Sequence, residues 1–475
     1  MIRSETILRL CFLVPLFGFI FTCSVSAQNE AEITVYRGAT LFDGSGSDPI
    51  ENSIIVIEGD RIDCVGTLSD CDIPDDSNMI DLSGKFITPG LIDAHVHFFQ
   101  TGFFDSRPDA LDITGTYPFA EVAAYQKLNP QRYYDAYLCS GITGVYDVGG
   151  FSWSIDFQEQ AEENPSAPHV AAAGPLITPA LNAPFDLPSD KVLVNLSSAE
   201  VGIKTVQYLS ALGSTGIKFW QLAADNEQYM ERVEATADEI RRQDNQMIAH
   251  ATSLNQAKAA LRNGTKLLVH SVSDTEIDDE FIELAKLHET FYNPTLIVSS
   301  GYRMAYQAAA GIEPLEIDDP KGCVDQKTRR LIETASQFKD HARFSPAFME
   351  NLEKFDRQLH RVNQTDVKNL MTVYEADIPI VVGTDAGNPG TLHGISIFDE
   401  MEAMQEAGIP ANDIIVMATQ NGAKAMQRFE DFGTLEAGKF ANIVILDEDP
   451  SKDISNMRSR THVVMKGKLL EIGDL

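Results

Sequence analysis

Three short apolar runs of this chain, QMIAH, KLLVH and IPIVVGTD, end on His250, His270 and Asp385, and a longer one, KFITPGLIDAHVHFF, carries His95 and His97. Each reads as a buried parallel strand whose last residue opens into a loop. Side chains two apart on a strand share a face, so His95 and His97 point the same way. Strands that finish on imidazole and carboxylate groups gather those groups at one end of a sheet. Such a gathering is the raw material of a metal site.

Between these runs lie helical stretches. Strands are expected near 91–97, 142–148, 169–174, 215–220, 246–250, 266–270, 291–296 and 379–385. Eight strands alternating with helices suggest an α/β chain of the (β/α)8 TIM-barrel type, in which chemistry sits at the C-terminal ends of the strands. His250, His270 and Asp385 fall at those ends. The segment from 33 to 85 instead alternates short β-rich runs with Gly and Asp turns, and GTLEAGKFANIVILDEDP and THVVMKGKLLEIG repeat that texture at the other end. The two ends together read as one small β-sandwich. The expected division is therefore 28–88 and 429–475 for the sandwich and 89–428 for the barrel. Residues 297–377 exceed what a barrel connection needs and contain charged helical stretches, so a helical insertion is expected. It reads either as a lid over the site or as a stabilising surface insert.

A net charge of −33 removes nucleic acid as a partner, because no basic stripe is left to neutralise phosphates. Residues 1–27 read as a secretory signal peptide, with Arg3 and Arg9 before an apolar core and Val25, Ser26 and Ala27 as the cleavage site before Gln28. Pro15, Gly18 and the shortness of that core argue against a retained anchor, and the residues before Cys23 make a poor lipidation signal. No later stretch is long and apolar enough to cross a bilayer. Export to a periplasmic or extracellular location would let thiols pair. Cys64 and Cys71 flank a hairpin-like turn and are either bonded or two buried thiols. Cys139 and Cys323 cannot be paired from their positions, and none of the four has zinc-knuckle spacing.

His95, His97 and Asp385 could hold one ion, and His250 with His270 a second. Two cations close together need an anion between them. Lys218, in GIKFW, could supply it, since a neutral amine adds carbon dioxide to give a bridging carbamate. The alternative is a lysine that points out of the barrel to a surface carboxylate.

The run of motifs PGLIDAHVHF, GITGVYDVGG, AAAGP, GIKFW, MIAHA, LVHS, YNPTL, GTDAG, ATQNGAKAM and GTLEAGKFANIVILDEDP resembles, in order, the amidohydrolase superfamily, in particular its exported imidazolonepropionase-like and prolidase-like hydrolases. The resemblance implies a two-metal hydrolase, with His95, His97 and Asp385 on one zinc, His250 and His270 on the other, and a carbamate on Lys218 between them. It further implies that a metal-activated hydroxide attacks an amide-type C–N bond while Asp385 shuttles the proton to the leaving nitrogen. The same donors would accept manganese, cobalt or iron. Ser271, Tyr146 and Asn442 depart from the family pattern, which commonly has Gly, Arg and Asp there. Tyr146 is the departure expected to alter substrate choice.

A small substrate with a carboxylate would need a cation, which directs attention to Arg107, Arg303 and Tyr302 in the loops, and to His393 beyond Asp385. His169, His288, His341, His360 and His462 read as structural or solvated. Two other functions fit the same residues. One is a mononuclear deaminase or imidazolone-type hydrolase using His95, His97, His250 and Asp385. The other is a non-catalytic, metal-binding barrel.

Overall fold

The computed structural model describes residues 33–180, 184–358 and 363–475. The signal segment at 1–27 and His360 lie outside them. Strands β1 (Ile33–Arg37), β2 (Thr40–Leu41), β3 (Ile54–Glu58), β4 (Arg61–Gly66), β5 (Asn78–Asp81) and β6 (Phe86–Pro89) open the chain. The central part carries β7 (Leu91–Val96), β8 (Ile142–Asp147), β9 (His169–Ala172), β10 (Leu176–Thr178), β11 (Leu193–Asn195), β12 (Ile217–Phe219), β13 (Met247–His250), β14 (Leu267–Val269) and β15 (Phe291–Asn293). Strands β16 (Ile443–Leu446), β17 (Arg460–Met465) and β18 (Lys468–Glu471) close it.

The two ends meet. β4, β3, β1 and β5 make one sheet, while β6 and β2 join β16, β17 and β18 in a second, with Val444 opposite Thr88. Alternating residues face inward. Tyr36, Ile55 and Ile57 of the first sheet share a core cluster with Ile87, Ile443, Ile445 and Val464 of the second.

The central strands are parallel and buried on both faces, as covered strands must be: every residue of Leu91–Val96 and Ile142–Asp147 is buried. They form a sheet ordered β7-β8-β9 and another ordered β11-β10-β12-β13-β14-β15. Helices return the chain between them. Four start on a side chain that accepts an N–H three residues on: Ser198 from Val201, Asn226 from Tyr229, Ser253 from Gln256 and Asp278 from Phe281.

The edges of these two sheets are linked through irregular backbone. The Thr215 N–H donates to the Ala172 carbonyl at 3.0 Å. On the far side residues 380–386 run between β15 and β7, with Ile380 bridged to Tyr292, and Ala94 donating to Val382 at 3.0 Å. The strand expected at 379–385 is thus present as isolated bridges rather than a ladder. Gly383 explains the close passage, since a Cβ there would lie 2.9 Å from the His95 nitrogen and 2.6 Å from Asn293 Nδ2. The strand expected at 169–174 instead breaks at Gly174 (φ 75°) and resumes as β10, which pairs with the unforeseen β11.

The expected insertion is helical, with Val298–Ala309, Gln326–Glu333, Pro346–Gln358 and Gln364–Glu375. It has its own core, in which Ala305, Leu331, Ile332 and Phe338 pack on Phe103, Phe104 and Leu392. Both cysteine pairs are bonded, Cys64 to Cys71 and Cys139 to Cys323. The second bond fastens the insertion to the helix Gln131–Cys139. Among the described residues no helix is long and apolar enough to cross a membrane.

Candidate metal centre

His95 and His97 end β7 side by side, and Asp385 reaches them from the run beside that strand, its N–H donating to the His95 carbonyl at 2.7 Å. Asp385 Oδ1 lies 3.2 Å from His95 Nε2 and 3.0 Å from His97 Nε2. The far ring nitrogens settle which atoms carry protons. His97 Nδ1 sits 2.6 Å from the Gly149 carbonyl, which can only accept, so Nδ1 is protonated. His95 Nδ1 lies 3.0 Å from Asn293 Oδ1, and the Asn293 amide nitrogen donates to the carbonyls of Val381 and Gly383, which fixes the oxygen toward His95. In the neutral rings both Nε2 atoms then present lone pairs to a carboxylate oxygen. Three acceptors in apposition need a cation among them, and His95 Nε2 and Asp385 Oδ1 are buried without any hydrogen-bond partner. The three residues fit a divalent ion.

His270 and His250 end the neighbouring strands, their ring centroids 4.4 Å apart, and His270 lies 5.2 Å from His95. His270 Nδ1 is paired to Thr295 Oγ1 at 2.7 Å. Burial holds His95 and His250 well below the ordinary imidazole value and His270 down to about 4, so all three are neutral and able to ligate. Lys218, the middle residue of β12, lines the same cavity and is 1% exposed. Burial brings its amine down to about 7, against the pull of Asp385 and Asp147. The expected alternative of an outward-pointing lysine is overturned: Lys218 points in. Among the described residues, four of the ten non-glycine positions with positive φ, Gln221, His270, Thr295 and Asp385, line this cavity. The strand exits are therefore held in backbone conformations that side chains rarely adopt.

The cavity is about 270 Å³. Its lining includes apolar Phe99, Leu176, Phe185, Val192, Leu193 and Trp220 and polar Thr252, Ser271, Ser273 and Asp366. Of the expected substrate residues, Arg107 and Tyr302 line it. Arg107 is clamped by Asp109 at 2.9 and 2.7 Å and shares Asn388 Oδ1 with the Tyr302 hydroxyl. Three expectations are corrected. Tyr146 is fully buried away from the cavity, its hydroxyl donating to the Thr215 carbonyl and accepting from Gln246, so it supports the packed interior and not substrate choice. His393 lies beneath Gln100, its Nε2–H donating to that carbonyl and its Nδ1 accepting from Tyr137, with no free ring nitrogen for a substrate. Arg303 is not among the cavity's lining; it lies in an adjoining groove with Tyr306 and Phe348 and bonds Gln307. The residue-level reading missed Asn293, which orients His95, and Asp93, whose carboxylate accepts from the Thr384 hydroxyl at 2.6 Å and shapes the turn into Asp385. Their placement inside YNPTL and GLIDAHVH, at the end of β15 and within the strand that carries His95, was the available signal. Asp366 was missed as well.

The profile of the amidohydrolase family matches residues 86–470. The chain belongs to the amidohydrolase family. Within it, the chain is similar to an imidazolonepropionase of Streptomyces avermitilis, 26% identical over 137 residues, which is 26% of this chain and 33% of that protein. It is also similar to a 5-methylthioadenosine/S-adenosylhomocysteine deaminase of Halalkalibacterium halodurans, 33% identical over 90 residues, 17% of this chain and 20% of the relative. The chain thus spans about a third or less of the length of these curated relatives. Solved structures align over far more. A Xaa-Pro dipeptidase with bound methionine gives a TM-score of 0.68 at 22% identity, covering 93% of this chain and 100% of that one. A. niger ochratoxinase gives 0.66 at 20%, covering 93% and 96%. At these identities the likeness is one of fold, the α/β fold of amidohydrolases.

Proposed function

We propose that this amidohydrolase is a two-metal hydrolase that cleaves an amide-type C–N bond in a small substrate: a dipeptide, an N-acyl amino acid or a cyclic amide. One observation carries the reading. A buried lysine, Lys218, stands in one cavity with the acceptor cluster of His95, His97 and Asp385 and with the neutral pair His250 and His270. Among the described residues no hydrogen-bond acceptor is recorded for its amine. An unpartnered, desolvated amine is the form that takes up carbon dioxide, and the carbamate would place an anion between two cations. His95, His97 and Asp385 would hold one ion and His250 and His270 the other. Bound zinc ions would lower the pKa of water and polarise the scissile carbonyl. The chain's own part is to orient and to move protons. Asn293 and Gly149 fix the histidine tautomers, and Asp385 accepts a proton from the attacking water and returns it to the leaving nitrogen. The oxygen of water ends on the carbonyl carbon, the C–N bond breaks, and a carboxylate and an amine leave.

The deaminase and imidazolonepropionase likenesses favour a second reading, a mononuclear enzyme on His95, His97, His250 and Asp385. Metal analysis of the chain from residue 28 onward, purified with bicarbonate and assayed on an amide panel, separates the two. Two ions per chain with hydrolysis supports the bridged site. One ion moves the function to the mononuclear reading, and bound metal without any turnover moves it to a non-catalytic barrel.

The same reading closes the central strands into a (β/α)8 barrel at 89–428, supported by the bonds Thr215 to Ala172 and Ala94 to Val382. It stacks the two outer sheets, from 28–88 and 429–475, as a sandwich around their shared core. It also includes removal of residues 1–27 and a periplasmic or secreted location, which the two disulfides support. Mass measurement of the N-terminus after expression tests it: a chain beginning at Gln28 is expected, and an intact leader on a soluble chain would reject export.

A further inference from the structure

Apart from Asp385, Asp366 is the only carboxylate lining the cavity among the described residues. It is 8% exposed and its Oδ1 has no hydrogen-bond partner among them. An acid in the first turn of a helix ordinarily serves the helix end. That explanation fails here, because Asn363 caps the helix Gln364–Glu375 by accepting from the Thr365 N–H, and Asp366 makes no return bond to Asn363. Its place is instead fixed from outside. Asn369, three residues on along the same face, donates to the carbonyls of Val272 and Thr275 at 2.7 and 2.9 Å and accepts from the Ile277 N–H at 3.0 Å. These bonds press the first turn of the helix against the loop that carries Ser271 and Ser273.

Among the described residues no cation pairs with this carboxylate. Thr252, Ser271 and Ser273 of the lining offer hydroxyls, Arg107 is clamped by Asp109, and no ion pair is formed by Asp366 among the described residues. Burial pushes its carboxyl up to about 6. A charge taken out of water and left unpaired is unfavourable until a counter-charge arrives, and the space it borders is the substrate cavity.

We propose that Asp366 receives a positively charged nitrogen of the substrate, so that the enzyme acts on amides bearing an ammonium group near the scissile bond. The inference rests on the hydrolase reading above. The ammonium is either the free α-amine of a dipeptide or a basic side chain, and the apolar part of the lining takes an aliphatic group.

Three probes decide it with the metal-loaded enzyme: L-alanyl-L-leucine, isobutyryl-L-leucine, in which a methyl replaces the ammonium, and isobutyryl-L-lysine, in which the charge moves to the side chain. The expected result is a kcat/KM for one or both charged probes at least about tenfold above isobutyryl-L-leucine. Asp366→Asn should erase most of that preference, chiefly through KM, with metal content and Tm as in the parent. Asp366→Ser gives the same comparison should the first variant fold poorly. A preference that survives both substitutions, equal loss on all three probes, or no preference in the parent would overturn the proposal while leaving the hydrolase standing. Metal-loaded enzyme inert to every probe and to the wider amide panel would remove both.

Discussion

At the scale of single residues, His250, His270 and Asp385 were legible as candidate ligands because each closes an apolar run, where local pattern alone places a side chain at the sheet's end. Lys218 is the residue on which the two-metal reading turns. Lys218→Ala should bind about one ion fewer per chain and lose at least about a thousandfold in kcat, because the second ion loses its bridge and the water its activation. Metal analysis beside steady-state rates reads this, and unchanged stoichiometry with full activity would end the bridged site. Asn293→Ala acts one step further out. It frees the His95 ring to rotate and to change tautomer, so metal affinity should fall by about 10–100-fold in a chelator competition, with the fold intact. Tyr146 and His393 show where residue-level reading fails. Tyr146 drew attention as a departure from the family pattern, but its hydroxyl is spent on the Thr215 carbonyl and Gln246 in the interior. Asp366 was illegible for another reason: an acid just inside a helix that starts at Asn looks like helix capping until its neighbours from β14 and the loop after it are known.

At the scale of elements, seven of the eight expected central strands have counterparts, and the eighth is replaced by the bridged run at 380–386. Strand periodicity is a local property, so it survives in the sequence; the break at Gly174 that creates β10 and β11 depends on a turn that periodicity does not mark. Pairing of Cys139 with Cys323 is more distant still, across 184 residues, and no local pattern encodes it. Of the insertion, Val298, Ser299 and Tyr302 line the cavity, while Ala305, Leu331, Ile332 and Phe338 pack a core with Phe103, Phe104 and Leu392. Its disulfide should matter more than the hairpin one. By chain entropy a 184-residue separation contributes about 5 kcal/mol, against about 2.5 kcal/mol for the 7-residue separation of Cys64 and Cys71. The double variant Cys139→Ser/Cys323→Ser should therefore lower Tm by roughly 5–10 °C and open the insertion to proteolysis, while Cys64→Ser/Cys71→Ser shifts Tm about half as far. Equal shifts for the two pairs would show that loop length does not govern their contribution.

At the scale of the whole molecule, the outer sheets and the central strands are joined by a charge cluster whose pH dependence can be worked out. Glu162, near the end of the helix Phe157–Glu163, accepts from His169 of β9 at 2.8 Å and pairs with Arg428 at 3.1 Å and Lys466 at 3.2 Å. Lys466 also donates to the Ala161 and Glu162 carbonyls, closing the helix end, and His169 stacks on Phe432. Burial opposes ionisation of Glu162, yet His169, Lys466 and Arg428 together hold its carboxyl well below the usual range. A carboxyl depressed in the folded state stabilises above its unfolded value, about 4.3, and that contribution is lost as pH falls toward the folded value. His169 is lowered by burial, so the unfolded chain takes up its proton first, from about pH 6.5 downward. Both effects weaken the fold in acid, the histidine beginning near pH 6.5 and the glutamate near 4.5. Glu162→Gln keeps the shape, removes the second and withdraws the pull that raises His169, which deepens the first. Tm measured from pH 7 to 3.5 should then fall from a lower starting value but more gently below about pH 4.5 than in the parent. Loss of bound metal in acid and relief of the −33 net charge act on both proteins alike, so the difference between the two curves isolates the cluster. Parallel curves through that window would mean that the ends are held to the central strands by their apolar cores alone.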